Sequence, residues 1–326
     1  MLAVGTRDDV FELGLRGQLD VIEAALLQAA EAETPMITDA AQHIIAAGGK
    51  RFRPLLVALT AQLGPAAVDA DVVKAAVVVE LTHVASLYHD DVMDEALMRR
   101  GSVSANSRWG NTVAILVGDF LFARASDLVS ELGSEFVSIQ ARTFARLVQG
   151  QIAETVGPPP GEDPLDHYLR VLADKTGALI ATSALFGAKL SGCSPALQQQ
   201  VAEFGEQIGL VFQLSDDIID ITSDVTGKTP GTDLREGIPT LPTLLVRRST
   251  DPADARLLEL LDSDLSDDAA LGEALALLRA HPAIDQARAE VERRAAVARD
   301  LLDDLPPGPA QLALVELCDS VVTRAA

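Results

Sequence analysis

Basic residues are scarce in this chain. Its 326 residues carry 26 Lys+Arg against 48 Asp+Glu, a formal charge of −22. That balance excludes a nucleic-acid binder, which needs a basic stripe to neutralise phosphates. It also excludes docking on an anionic membrane through basic residues. The two cysteines, Cys193 and Cys318, are too few for a disulfide framework or a cysteine zinc site. Both are expected as small buried hydrophobes. No apolar run reaches the roughly 18 residues of a spanning helix. The opening MLAVGTRDDV has charges at Arg7, Asp8 and Asp9 and no apolar core, so it does not read as a signal peptide. A soluble, cytoplasmic protein without a membrane span is expected. Strand signals are poor as well. No run alternates with period two and closes on an Asn-Gly or Asp-Gly turn, and no repeat of fixed period is present.

What remains is helix. Ala and Leu dominate the 48% hydrophobic content, and apolar residues recur at three and four. Residues 9–30 read as an amphipathic helix with Val10, Leu13, Leu15, Leu19, Ile22, Ala25 and Leu26 inward. Thr38-Asp39 is the expected cap of the next helix, and Pro54 suits a first turn. Further helices are expected at 69–93, 111–131, 134–155, 165–191, 195–224, 240–249, 254–262, 267–280, 283–304 and 309–324. The stretches 157–161, 226–242 and 306–308 read as loops. The expectation is one all-α domain spanning 1–326, a bundle of about a dozen helices.

One motif occurs twice. Asp90-Asp91-Val92-Met93-Asp94 and Asp216-Asp217-Ile218-Ile219-Asp220 are both D-D-x-x-D, each at the end of an apolar helical run. Residues four apart on a helix lie about 40° apart around its axis, so the outer two aspartates of each motif share a face. A surface helix would relieve such repulsion with Lys or Arg at i+4. Here the flanks are apolar: Ala85, Leu87 and Val92, then Leu214, Ile218, Ile219 and Ile221. Carboxylate oxygens alone suit Mg2+, which keeps waters and bridges to phosphate. An acidic protein could carry one such cluster as a solvated face; two inside apolar helices disfavour that reading.

Some of the basic residues stand in short motifs that bear on these clusters. Gly48-Gly49-Lys50-Arg51-Phe52-Arg53-Pro54 sits at a helix start, where free N–H groups favour anions. Arg99-Arg100-Gly101 follows the first cluster, and Lys228 follows the second. Lys175-Thr176-Gly177 lies in another helical run. His83, seven residues before Asp90, lies within about 20° of its face. His89 points elsewhere and is read as structural. Cations beside Mg2+-type clusters point to phosphate or diphosphate substrates.

These residues resemble the all-trans polyprenyl diphosphate synthases. The matching blocks are GGKRFRPLL (48–56), ELTHVASLYHDDVMDEALMRRG (80–101), NTVAILVGDFLFARA (111–125), QGQIAE (149–154), KTGALIATS (175–183), FQLSDDIIDITSDVTGK (212–228), TDLREG (232–237) and TLP (240–242). The resemblance implies an isoprenoid synthase-like bundle around a deep central cavity, working as a homodimer. It implies that Asp90, Asp91, Asp94, Asp216, Asp217 and Asp220 hold Mg2+, three ions, against the allylic diphosphate. Arg99, Lys175, Thr176, Gln213 and Lys228 would contact that diphosphate. Lys50, Arg53, His83 and Arg100 would bind isopentenyl diphosphate. Gln151 and Glu154 would lie near the metals. Where the family often has Gly-Lys-Asp and Glu-Gly-Lys, this chain has Gly231-Thr232-Asp233 and Glu236-Gly237-Ile238, and Ile238 cannot contact a phosphate by charge.

The implied reaction is condensation of isopentenyl diphosphate with an allylic prenyl diphosphate. Short-chain members of the family carry a bulky aromatic just below the first cluster. This chain has Ala85 and Ser86, which implies a deep tunnel and a product of about seven to nine isoprene units. Phe144 or Leu147 would be a deeper floor. A shorter, geranylgeranyl-type product, a terpene cyclase and a non-catalytic subunit of a two-protein synthase are the alternatives. The second aspartate cluster and the Lys50–Arg53 block favour elongation. The helix at 111–125, apolar on more than one face, suggests the dimer interface.

Overall fold

In the first helix, α1 (Asp9–Ala29), a single stripe of Leu15, Leu19, Ile22 and Leu26 is buried. Val10 and Leu13 were expected inward and are instead exposed, at 80% and 68%. Leu13 lies about 200° around the helix from Leu15, on the outer side. The computed structural model describes residues 9–65, 69–222 and 230–323. The other elements are α2 (Pro35–Ala46), α3 (Phe52–Thr60), α4 (Asp69–Met93), the two-residue strands β1 (Met98–Arg99) and β2 (Ser102–Val103), α5 (Ala105–Trp109), α6 (Asn111–Ser130), α7 (Ser134–Val156), α8 (Pro164–Leu172) and α9 (Ala178–Leu190). They continue as α10 (Pro195–Thr222), α11 (Thr232–Arg235), α12 (Leu241–Val246), α13 (Ala255–Leu261), α14 (Asp268–Ala280), α15 (Ala283–Asp300) and α16 (Pro309–Thr323). The all-α expectation holds apart from one small antiparallel hairpin, β1 with β2.

Local chemistry explains where boundaries depart from the sequence reading. Helix α2 starts at Pro35, whose fixed φ suits a first turn, and not at Thr38-Asp39. Thr38 Oγ1 instead accepts from Ala32 N at 2.9 Å and donates to Ala32 O at 3.1 Å. The run expected at 165–191 is interrupted by a π turn at Ala173–Gly177. The expected loop at 226–242 contains α11 and the start of α12. Thr240 and Thr243 form a reciprocal cap on α12, with Pro242 in its first turn. The hairpin turns at Arg100-Gly101, with φ of 53° and 76°, and was illegible because each strand has only two residues and the turn is neither Asn-Gly nor Asp-Gly.

The chain divides into two compact units. One takes the chain up to Ala145 with Leu179–Gly205 and Leu301–Glu316; the other takes Arg146–Ala178, Glu206–Asp300 and the chain from Leu317. In the first, α4 is the central helix. Val72, Val77, Val78, Leu81, Val84 and Ala85 are buried on several of its sides, against α1, α3 and α6. A helix apolar all round is a core helix. Two glycines permit close approach. A Cβ on Gly118 of α6 would fall on the His89 ring and within 3.2 Å of Ala85 O. A Cβ on Gly187 of α9 would fall on Val57 O and Thr60 Oγ1 of α3. In the second unit, Ile221, Val246, Leu257, Leu271, Leu278 and Ile284 form the core. Both cysteines are free and buried, as expected. Burial pushes the Cys318 thiol up to about 12. Among the described residues, no helix is long and apolar enough to cross a membrane.

Candidate active site

The first aspartate cluster ends α4. Asp90 is half-buried and Asp94 exposed, while Asp91 between them is 0% exposed. Asp94 lies one residue past the helix, yet its N–H still donates to Asp90 O at 2.8 Å. Helical register therefore persists through the motif. Asp91 accepts from Arg99 Nε of β1 at 2.6 Å. Burial raises the Asp91 pKa, Arg99 opposes this, and Asp94 adds to it. Asp91 Oδ2 is buried with no hydrogen-bond partner. A carboxylate oxygen orphaned in this way is an expensive arrangement unless a cation completes it.

Beside this cluster lies the basic loop between α2 and α3. Lys50 is exposed; Arg53 and His83 are half-buried. Arg53 Nε is buried without a partner. Burial pushes the Arg53 guanidinium down to about 10, with Glu80 raising and Arg100 lowering it. It remains charged at neutral pH. Burial, then the charges of Arg53, Arg100, Arg99 and Arg51, holds the His83 imidazole well below its ordinary value. His83 is therefore neutral near pH 7 and offers an N–H dipole, not a charge. Arg100 is largely committed to the backbone, with Nη1 donating to Gly48 O at 2.5 Å and Ile44 O at 3.1 Å. Its Nη2 stands 3.9 Å from Glu80.

The second cluster lies inside α10 and repeats the burial pattern. Asp216 and Asp220 are half-buried, whereas Asp217 is 4% exposed. Asp217 accepts from the Tyr168 hydroxyl of α8, from Gln213 Nε2 at 3.4 Å and from Leu241 N at 3.4 Å. Burial pushes the Asp217 carboxyl up to about 6, opposed by these hydrogen bonds. Asp220 accepts from Asp233 N at 3.2 Å and Thr232 N at 3.4 Å, which caps the start of α11. That is the structural use of TDLREG. Ile238 is 37% exposed, in place of the family's cation.

Lys175 and Thr176 lie half-buried in the π turn. Lys175 Nζ is 2.5 Å from Glu154 Oε2, so two residues singled out separately are paired. Gln151 is half-buried, and its Oε1 is orphaned. A Cβ on Gly150 would stand 2.7 Å from Lys175 N, so only glycine lets α7 meet the π turn there. Lys228 lies outside the described residues. Of the tunnel residues, Ala85 is 0% exposed and Ser86 half-buried, its hydroxyl donating to His83 O at 2.8 Å. Phe144 is half-buried against Phe122, ring centroids 4.4 Å apart, and Leu147 is buried.

Sequence reasoning missed Tyr168, Glu80 and Glu23. Tyr168 lay in no recognised motif. Glu80, at 2% exposure, is a carboxylate in an otherwise apolar stretch of α4, which was the available signal. The donor set fits a hard divalent cation: carboxylates, with one buried oxygen unpartnered. Among the described residues no three acidic or imidazole groups already converge on one point.

The Polyprenyl synthetase family profile matches residues 34–278. The chain is 46% identical over 319 residues to nonaprenyl diphosphate synthase of Mycobacterium tuberculosis, covering 97% of this chain and 95% of that one. Its structure superposes on geranylgeranyl pyrophosphate synthase from Corynebacterium glutamicum, solved with calcium and isoprenyl diphosphate. That match has a TM-score of 0.89 and 42% identity and covers 99% of both chains. It also superposes on a polyprenyl synthase from Caulobacter crescentus, likewise with calcium and isoprenyl diphosphate, with a TM-score of 0.90 and 32% identity over 100% of both chains. The chain belongs to the polyprenyl synthetase family, and its fold is the all-α fold of those structures.

Proposed function

We propose that the protein condenses isopentenyl diphosphate with an allylic diphosphate, such as farnesyl or geranylgeranyl diphosphate. The product is an all-trans polyprenyl diphosphate of about seven to nine units, the class named for relatives that make hepta-, octa- and nonaprenyl chains. The observation that carries this reading is the shared anatomy of the two D-D-x-x-D motifs. Each anchors its middle aspartate in buried polar contacts, Asp91 on Arg99 and Asp217 on Tyr168. Each keeps its outer pair, Asp90 with Asp94 and Asp216 with Asp220, at least partly exposed.

In this reading Asp90, Asp91, Asp94, Asp216, Asp217 and Asp220 would hold Mg2+, whose charge would offset that of the allylic diphosphate. When bound, the metal stabilises the negative charge that builds on the departing diphosphate. Arg99, Lys175, Thr176, Gln213 and Lys228 neutralise and orient that same group. Lys50, Arg53, Arg100 and the neutral N–H of His83 bind the diphosphate of isopentenyl diphosphate. The isopentenyl double bond then attacks the allylic carbon as its C–O bond breaks, and a proton leaves the new chain for the released diphosphate. Apolar side chains keep water from the cationic carbon. No nucleophilic side chain is required.

Residues 1–326 act as one catalytic domain in the cytoplasm. A homodimer is supported by α6, which buries Ala114, Val117, Leu121 and Ala125 yet exposes Ile115 and Leu116. Chain length depends on the space below the first cluster, where Ala85 and Ser86 are small. The test incubates purified protein with labelled isopentenyl diphosphate, an allylic primer and Mg2+, then sizes the dephosphorylated products. Products of about seven to nine units support the reading, and omission of Mg2+ abolishes them. Products stopping at four units assign a short-chain synthase; cyclic hydrocarbon assigns a cyclase; activity only with a partner chain assigns a subunit role.

A further inference from the structure

The loop assigned above to isopentenyl diphosphate is held from outside the segment that defines the family. Arg51 lies between Lys50 and Arg53 and has φ 49° and ψ 37°, a left-handed conformation that side chains with a Cβ rarely adopt. Its guanidinium explains how the turn persists. Nε and Nη2 donate to the two oxygens of Glu23, both at 2.6 Å. Nη2 also donates to Ile45 O at 2.8 Å, and Nη1 donates to Glu80 Oε1 at 3.0 Å and Gly48 O at 3.5 Å. All five N–H donors of Arg51 are thus used inside the protein. Arg51 has none left for a substrate, although it stands amid the residues that would bind one.

Glu80 and Glu23 differ in kind. Glu80 is buried in α4 and also faces Arg53 and Arg100, so it is part of the core of the basic loop. Glu23 comes from α1, which ends before residue 34, where the family match begins. Its side chain is 39% exposed, so its removal opens no cavity in the core. The arrangement is a bidentate, charge-assisted fork between a terminal helix and the loop, the geometry in which arginine and carboxylate bind most firmly.

We infer that Glu23 is a positioning residue for isopentenyl diphosphate: by gripping Arg51 it holds the Gly48–Arg53 turn in the conformation that presents Lys50 and Arg53. This rests on the functional reading above. Without the fork, Arg51 keeps Glu80 and Ile45 but loses its two shortest contacts, and the turn samples other conformations. A binding-competent fraction reduced to about one fifth weakens apparent affinity about fivefold. The effect is confined to one substrate, because the residues assigned to the allylic diphosphate do not include this loop.

The experiment measures binding of isopentenyl diphosphate alone to the full chain by calorimetry, without allylic primer or Mg2+. Steady-state KM values for both substrates are measured beside it. Glu23→Gln is expected to weaken isopentenyl diphosphate binding about fivefold and raise its KM similarly, with kcat and the primer KM unchanged. Arg51→Lys is expected to do the same, and the double variant to be no weaker than Arg51→Lys alone. Glu23→Asp, which keeps the charge, should recover part of the affinity. Equal binding by Glu23→Gln and wild type overturns the inference. A parallel loss for both substrates with a lowered Tm also overturns it, because Glu23 would then be merely structural. Wild-type protein that binds no isopentenyl diphosphate overturns the functional reading, and this inference with it.

Discussion

Replacing Tyr168 by Phe removes one oxygen atom and leaves the ring, so it isolates the contact that anchors the second aspartate cluster. Tyr168 is 7% exposed and Asp217 4%, so neither group can turn to water. The remaining partners of Asp217, Gln213 Nε2 and Leu241 N, both stand at 3.4 Å and are too long to compensate. Burial already pushes the Asp217 carboxyl up to about 6, and the Tyr168 hydrogen bond is the largest influence holding it down. Loss of a hydrogen bond to a buried charged group costs about 1.5–3 kcal/mol. For a chain of 326 residues that corresponds to a fall in Tm of roughly 2–4 °C. The assay is thermal unfolding in EDTA, which keeps the comparison within the metal-free protein. The background Asp217→Asn supplies the control, since a hydroxyl that acts through Asp217 should cost much less there. An unchanged Tm refutes the anchoring argument. Equal costs in the two backgrounds would show that the hydroxyl acts through something other than Asp217.

Two further predictions follow from other contacts. Gly187→Ala places a Cβ on Val57 O and Thr60 Oγ1 and 2.8 Å from Ala61 N, so α9 must move off α3. Chemical denaturation should register a loss of about 2–3 kcal/mol, against the roughly 1 kcal/mol gain that Gly→Ala gives in an unhindered helix; a net gain would contradict the packing. His83 is neutral when folded but takes up a proton when unfolded near its ordinary value. Unfolding therefore binds protons below about pH 6.5, and stability is lost as pH falls through that window, by up to about 1.4 kcal/mol per pH unit. His83→Gln should flatten the pH 6.5–5 limb of the stability curve, and identical limbs would show that His83 titrates normally.

Product length has a structural qualification. Ala85→Phe is the obvious way to shorten the chain, but Ala85 is fully buried, and its carbonyl lies beneath Gly118 of α6. A large ring there overpacks a helix crossing, which typically costs about 1–3 kcal/mol before any product is measured. Ser86 is half-buried and is the gentler position for the same test.

Much of the site was legible because its chemistry is local. The first and last aspartates of each motif, four residues apart on a helix, share a face whatever surrounds them, and that spacing located both clusters. The cations of Lys50, Arg53 and Lys175 were legible from their motifs. Their partners were not. Lys175 meets Glu154 across 21 residues, Arg51 meets Glu23 across 28, and Tyr168 meets Asp217 across 49. Arg100, read as a substrate ligand, also bonds the carbonyls of Ile44 and Gly48 through Nη1, a second role that no charge pattern announces.

The sequence by itself determined the helical class, the two aspartate clusters and the kind of ligand they suit, because helix periodicity and carboxylate repulsion act over a few residues. It also determined that the −22 charge does not bar phosphate chemistry, since three of the five lysines, Lys50, Lys175 and Lys228, fall in the motifs that the resemblance assigns to diphosphate. Tertiary structure alone decided which aspartate of each motif is anchored and which stay accessible. It also decided which arginines hold the fold and which keep a donor in reserve. Those outcomes depend on burial and on partners brought from distant helices. The energy of a charge is set by its surroundings, and surroundings exist only once the chain has folded.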